Sequence, residues 1–198
     1  MPNAAPARSD ARSIDRARFF AGIRQGPFPG KLTAGQVQGC NAILDEWECR
    51  GLTDLRWLAY MLATVKWETD HTMQPIKEGG GLNYLESKRY YPAYGRGYVQ
   101  LTWDANYKKM AKLIGVPELA TNYDLALEPE IATAVMFEGM LRGTFTGKKL
   151  ADYFSAKAAD WIGARRIING TDRAAEIASI AKQFYADLIA ASRPALVA

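Results

Sequence analysis

Two acidic side chains invite a chemical reading first. Glu68 closes the apolar helical run LAYMLATVKWET. At 100° per residue, Leu58, Met61, Leu62 and Val65 form one stripe, and Glu68 falls at its edge. Its carboxyl group therefore sits against an apolar face. It also lies in the last turn, where the helix dipole disfavours negative charge. Both effects favour the protonated form, the form a general acid needs near neutral pH. Glu78 stands directly before Gly79-Gly80-Gly81, on a segment read as a loop able to fold back towards the helix end. Two carboxyl groups so placed can flank a glycosidic bond, with about 6.5–9.5 Å between them when they activate a water. Glu86 is a rival for the second role, and Asp70 is too close in sequence to Glu68 to face it across a sugar.

The stretch that follows is dense in aromatic rings. Tyr90, Tyr91, Tyr94 and Tyr98 are interleaved with Pro92, Gly95, Arg96 and Gly97. Rings with polar edges suit a sugar cleft, offering a flat face to a pyranose and a hydroxyl to its rim. The same tyrosines also suit a turn-rich corner of the core, packed beneath loops. Residues 97–103 alternate as a short strand does, with Val99 and Leu101 on one face. Gln100 and Thr102 then share the other face, where they can hold an amide or a water.

These residues carry a resemblance. Glu68-Thr69, the block YGRGYVQLTW at 94–103, the pair Asn106-Tyr107 and RIING at 166–170 resemble glycoside hydrolase family 19, the chitinase-like family. Single-domain phage and prophage endolysins are the nearest in layout. The resemblance spans about residues 15–190, and its tyrosine-glycine block is long enough to be specific. It implies that Glu68 is the general acid, that Glu78 is the general base and that Thr102 helps hold the attacking water. Gln100, Asn106, Tyr98 and Asn169, with Tyr94 and Arg96 of the same block, are expected to bind sugar. The sequence departs from the family at one place: many relatives have His directly before the first acid, where this chain has Trp67 preceded by Lys66. Its lone histidine, His71, comes after the acid instead.

The elements that must position these groups can be read from their punctuation. A first helix is expected over Ser13–Gln25, stopped by Gly26-Pro27. Thr33 and Gln36 form a capping-box pattern that opens a second, running to about Arg50. Thr53 or Asp54 caps the helix that ends at Glu68. A helix from Asp104 to Ile114 stops at Gly115, and another starts at Pro129 and runs to Gly143. Shorter helical pieces are expected at 148–156 and 158–167. Asn169-Gly170 marks a turn, and Asp172 is expected to cap a last helix ending at Ala191. The apolar stripe of that helix (Ile177, Ile180, Phe184, Leu188) and its mixed charges fit docking on the core better than a membrane surface. Arg165 and Arg166 precede the Asn169 turn, where one can reach the cleft and tie it to the acids or both can be solvated.

Composition bounds the rest. With 198 residues, 48% hydrophobic and 23% charged, the chain fits one compact domain. We expect a flexible arm over 1–14, a catalytic domain over 15–192 and a tail over 193–198. The fold class is mainly α, bilobed and lysozyme-like or chitinase-like, with a small β element near 94–103. A net charge of +4 is spread among acids, which argues against nucleic acid as partner. Cys40 and Cys49 lie about 13.5 Å apart along one helix, beyond the about 7 Å a disulfide spans, so both are expected as free, buried thiols. Ligand spacing for a metal is lacking, and no cofactor is expected.

No spanning segment or secretory signal is evident. The expected substrate is bacterial peptidoglycan, with chitin, or wall binding without catalysis, as alternatives. The resemblance further implies a monomer held in the host cytoplasm until a membrane pore protein, a holin, releases it.

Overall fold

The structure is a computed structural model and describes residues 13–192. The arm expected over 1–14 and the tail over 193–198 lie largely outside the described residues. Ile14, however, is buried and forms an antiparallel bridge with Ser192, so it belongs to the folded domain.

Ten helical and strand elements of the described residues position the cleft. Helices α1 (Arg16–Ile23), α2 (Ala34–Cys49) and α3 (Leu55–Glu68) follow one another in the first third. Thr33 and Gln36 close a reciprocal capping box at the start of α2, and Asp54 caps α3 through the Arg56 amide. α3 is the central element: all residues from Leu58 to Lys66 are buried. The last helix, α8 (Ala174–Ala191), lies along α3 and packs on α1. Ile177, Phe184 and Leu188 drive that docking by leaving water, each worth about 1.5–3 kcal/mol. Arg173, and not Asp172, stands at its N-cap.

After α3 come β1 (Ile76–Lys77), α4 (Gly81–Glu86) and β2 (Arg96–Gly97), then α5 (Asp104–Ile114) and α6 (Pro129–Arg142). β1 and β2 pair antiparallel, Ile76 opposite Gly97 and Lys77 opposite Arg96. The β element is thus shorter than the alternation over 97–103 predicts. Residues 98–100 instead form a turn that returns Leu101 to bridge Arg96, with Gln100 in the left-handed region at φ 51°. Alternation of apolar and polar residues in a tight turn imitates a strand, which is why the pattern misled. The segments expected as helical pieces shrink to α7 (Leu150–Tyr153) and a 3-10 turn over Gly163–Ile167.

The connection between the two acids is held by α2. A Cβ on Gly39 would lie 1.8 Å from the Met73 carbonyl oxygen, so the loop and the helix meet in a contact only glycine permits. Gln36 donates to the His71 carbonyl and Gln74 to the Gly35 carbonyl, at 3.0 and 2.7 Å. Thr69, buried at the end of α3, donates to the Val65 carbonyl and accepts from the Met73 amide. This loop is therefore fixed at both ends.

Candidate active site

Packing brings Glu68 to the cleft. It is the last residue of α3, and Arg165 meets it from the 3-10 turn, Nη1 donating to Oε1 at 2.6 Å. Their side chains are 16% and 4% exposed, so the pair is shielded from water. Arg165 also donates from Nε to the Asp172 carbonyl, which locks the guanidinium plane. Of the two arginines offered by the sequence, Arg165 is the one that ties the acid down, while Arg166 is exposed. The apolar, dipole-opposed setting expected for Glu68 thus also contains a cation. As a neutral acid Glu68 can accept from Arg165 through its carbonyl oxygen and carry its proton on Oε2, which has no protein hydrogen bond among the described residues. Once that proton leaves, Arg165 balances the charge that remains.

Hydrogen bonding brings Glu78 there. Its amide donates to the Gly95 carbonyl at 2.8 Å, continuing the β1–β2 ladder by one residue. Tyr90 donates its hydroxyl to Oε1 at 2.6 Å, and the Gly95 amide donates to Oε2 at 2.9 Å. The expected free loop is therefore anchored, and both carboxylate oxygens face donors, which is how a base is kept charged and oriented. The hydrogen bond to Glu78 pushes the Tyr90 phenol up to about 12, because losing its proton would set two negative charges side by side. Glu86 ends α4 exposed and away from the cleft lining.

Glu68 and Glu78 line one cleft of about 510 Å³, together with Tyr90, Val99, Gln100, Leu101, Thr102, Trp103, Asn106, Phe145, Ile168 and Asn169. A larger groove of about 870 Å³ between α2 and α6 contains neither acid. Polar tips alternate with apolar walls in the smaller one. Thr102 donates to the Gln100 carbonyl at 2.8 Å, which leaves its oxygen to accept from a water. Gln100 spends its amide nitrogen on the Ile76 and Gly97 carbonyls. Asn106 donates to the Thr102 carbonyl and keeps its oxygen as an acceptor, whereas Asn169 accepts from the Gly170 amide and keeps its nitrogen as a donor. Gly95 has no room for a side chain: a Cβ would meet Gln100 Oε1 at 2.8 Å and Glu78 Oε2 at 3.3 Å.

Three expected sugar-binding residues are elsewhere. Tyr98 is fully buried, and its hydroxyl has no hydrogen-bond partner among the described residues. Burial pushes its phenol up. Arg96 is buried as a brace: Nε donates to Asp124 at 2.7 Å, and Nη1 donates to the Pro92 and Tyr94 carbonyls. Tyr94 lies beneath it, 3.6 Å from the guanidinium carbon to the ring centroid. These residues build the wall that presents Gly95 and do not face the cleft. The core-corner reading of the tyrosines holds for Tyr98 and the cleft reading for Tyr90.

Trp103 and Phe145 were absent from the expected set, and Tyr90 was offered only as one of four clustered tyrosines. Trp103 is 47% exposed, stands at the N-cap of α5 with φ 77°, and packs edge-on to Tyr90 at 5.4 Å. Such a backbone in a bulky residue costs about 1–3 kcal/mol, and sites of this kind cluster where function needs them. Its position inside the motif was the available signal. Phe145 left none. Of the two cysteines, Cys40 is buried and its thiol is pushed up to about 12 by burial, but Cys49 is exposed, contrary to expectation, because it lies in the last turn of α2.

No family model matches this sequence, and no curated protein matches it. Solved structures do. Chitinase C from Streptomyces griseus HUT6037 is similar with a TM-score of 0.59 at 20% identity, over 100% of this chain and 83% of that one. A bacterial family 19 chitinase has a TM-score of 0.55 at 21% identity, over 89% and 95%. A class IV family GH19 chitinase from Zea mays gives 0.50 at 21%, over 89% and 93%. At this level of identity the likeness speaks for architecture alone: the chain has the fold of the family 19 chitinases.

Proposed function

We propose that this protein is a glycoside hydrolase that cleaves β-1,4 bonds between N-acetylated sugars of bacterial peptidoglycan, as a single-domain endolysin does. The observation that carries the reading is the pairing in one cleft of two glutamates with opposite equipment. Glu68 has one oxygen against Arg165 and the other without a protein hydrogen bond among the described residues, which suits proton delivery to the leaving oxygen. Glu78 accepts from Tyr90 and Gly95 on its two oxygens, which suits a carboxylate that takes a proton from water. Thr102 lines the same cleft and keeps its hydroxyl oxygen as an acceptor, and in this reading the water held by Glu78 and Thr102 attacks the anomeric carbon from the face opposite Glu68. That order of events inverts the configuration. Asn106 and Asn169, one acceptor and one donor in the cleft lining, suit an acetamido group, and the rings of Trp103 and Tyr90 suit the sugar face, which supports this reading.

Peptidoglycan is preferred to chitin because the net charge of +4 favours approach to an anionic wall. In that reading the protein works as a monomer, waits in the bacterial cytoplasm and reaches the wall through a membrane pore partner. A chitinase is the second reading, supported by the names of the structural neighbours. Products released from purified peptidoglycan and from colloidal chitin separate the two. We expect muropeptides with new reducing ends from the wall, at a rate at least about tenfold above chitin turnover, and loss of about 1,000-fold in Glu68→Gln with the fold intact. Sugars from chitin alone would select the chitinase, and an active Glu68→Gln would remove the acid assignment.

A further inference from the structure

The charges around the cleft are not evenly neutralised. α5 contributes Trp103 at its cap and Asn106 one turn on, both lining the cleft. Lys109 follows three residues after Asn106, on the same face of the helix. Lys109 is exposed, and its Nζ lies 3.4 Å from the Thr144 carbonyl, next to the cleft-lining Phe145. The loop bearing Phe145 is fixed to the far wall: Thr146 donates to the Arg166 and Ile167 carbonyls at 2.5 and 3.2 Å, just before Ile168 and Asn169. Lys148, also exposed, is part of this loop, its amide donating to Thr146 Oγ1 at 3.3 Å.

Among the described residues neither lysine has a carboxylate within ion-pair distance. The acids nearby are already engaged: Asp104 holds Lys108 at 2.8 Å and accepts from Tyr123, and Asp152 accepts from the Lys149 amide. Lys109, one turn beyond the cleft-lining Asn106, and Lys148, three residues beyond the cleft-lining Phe145, are thus exposed cations with no carboxylate partner among the described residues.

We propose that Lys109 and Lys148 form a lip that binds carboxylates of the peptide stems on peptidoglycan, as that glycan is threaded through the cleft. The proposal rests on the peptidoglycan reading and deepens it. A chitin chain is uncharged and gives these ammonium groups nothing to bind; the wall glycan carries an acidic peptide on alternate sugars, projecting from the groove towards its rim. Lys109 and Lys148 determine which glycan is preferred and take no part in bond cleavage.

The test uses the full-length protein on purified peptidoglycan and on the same glycan strands stripped of peptide by an amidase. Lys109→Gln/Lys148→Gln is compared with Lys31→Gln/Lys182→Gln, which removes the same charge from exposed positions on neither α5 nor the loop bearing Phe145. In low salt, the ratio of kcat/KM on peptide-bearing to peptide-free glycan should fall about tenfold in the lip variant and hold within about twofold in the control. In about 1 M salt the lip variant and wild type should converge, as the Debye length shrinks to about 3 Å. A ratio unmoved in the lip variant, or an equal fall in the control, overturns the lip while leaving the peptidoglycan reading standing. Wild-type protein inert on both glycans removes that reading and the lip with it.

Discussion

The two walls of the cleft are built by different means. Glu68 is placed by packing: it ends a helix whose preceding turns are buried, and its partner Arg165 is itself 4% exposed. Glu78 is placed by hydrogen bonds, on a ladder two residues long extended by its own amide and closed by Tyr90 and Gly95. The first wall shields a carboxyl group and a guanidinium from water, a cost that grows when one partner is lost. The second costs little desolvation, since Tyr90 is half-buried and α4 beside it is mostly exposed. An acid must deliver its proton in a dry setting, while a base must draw on water; the difference between the walls matches that division of labour.

Removing Arg165 should break the packed wall and give the largest effect. Arg165→Met leaves the Glu68 carboxylate shielded with no counter-charge, and urea unfolding should show a loss of about 3 kcal/mol. Adding Glu68→Gln to that variant should restore part of the loss. No recovery would mean that Arg165 stabilises the fold by another route.

The hydrogen-bonded wall should respond in activity more than in stability. Tyr90→Phe deletes the donor to Glu78 Oε1 and should lower kcat about tenfold with little change in KM. In the wild type that donor persists well into alkali: the phenol is raised to about 12, so its contribution to stability is whole below its ordinary value near 10 and is lost as pH rises through 12. Tyr98→Phe is the matched case and the smallest effect. Its hydroxyl is buried without a partner among the described residues, so activity should stay within about twofold and stability should hold or rise. Equal losses in the two variants would erase the distinction between a cleft tyrosine and a core one.

How legible all this was in the sequence also differs between the walls. Helix limits followed from local rules, because a cap, a proline or a terminal glycine acts within one turn: Thr33, Asp54, Pro129, Gly115 and Gly143 all mark real ends. The acid on the packed wall could be read for the same reason, since helix periodicity fixes its face. Its cation could only be offered as one of two arginines, because the pair joins residues 97 apart. On the other wall the motif located Gln100 and Thr102 in the cleft, but strand alternation was the wrong reason for it. A turn with Gln100 at positive φ produces the same exposure, and period-two patterns do not distinguish the two over so short a run. Arg96 and Tyr98 were taken for sugar contacts because motif residues can serve the backbone that shapes a site as readily as the substrate.

A double-mutant cycle in kcat on purified peptidoglycan tests most directly whether the two walls serve one reaction. Glu68→Gln and Glu78→Gln are measured singly and together, with thermal melts to show that each variant folds. If both act in the same bond cleavage, each single variant loses about 100-fold or more and the double variant is little worse than the poorer single. Losses that multiply, or a Glu78→Gln variant with wild-type turnover, would contradict the pairing.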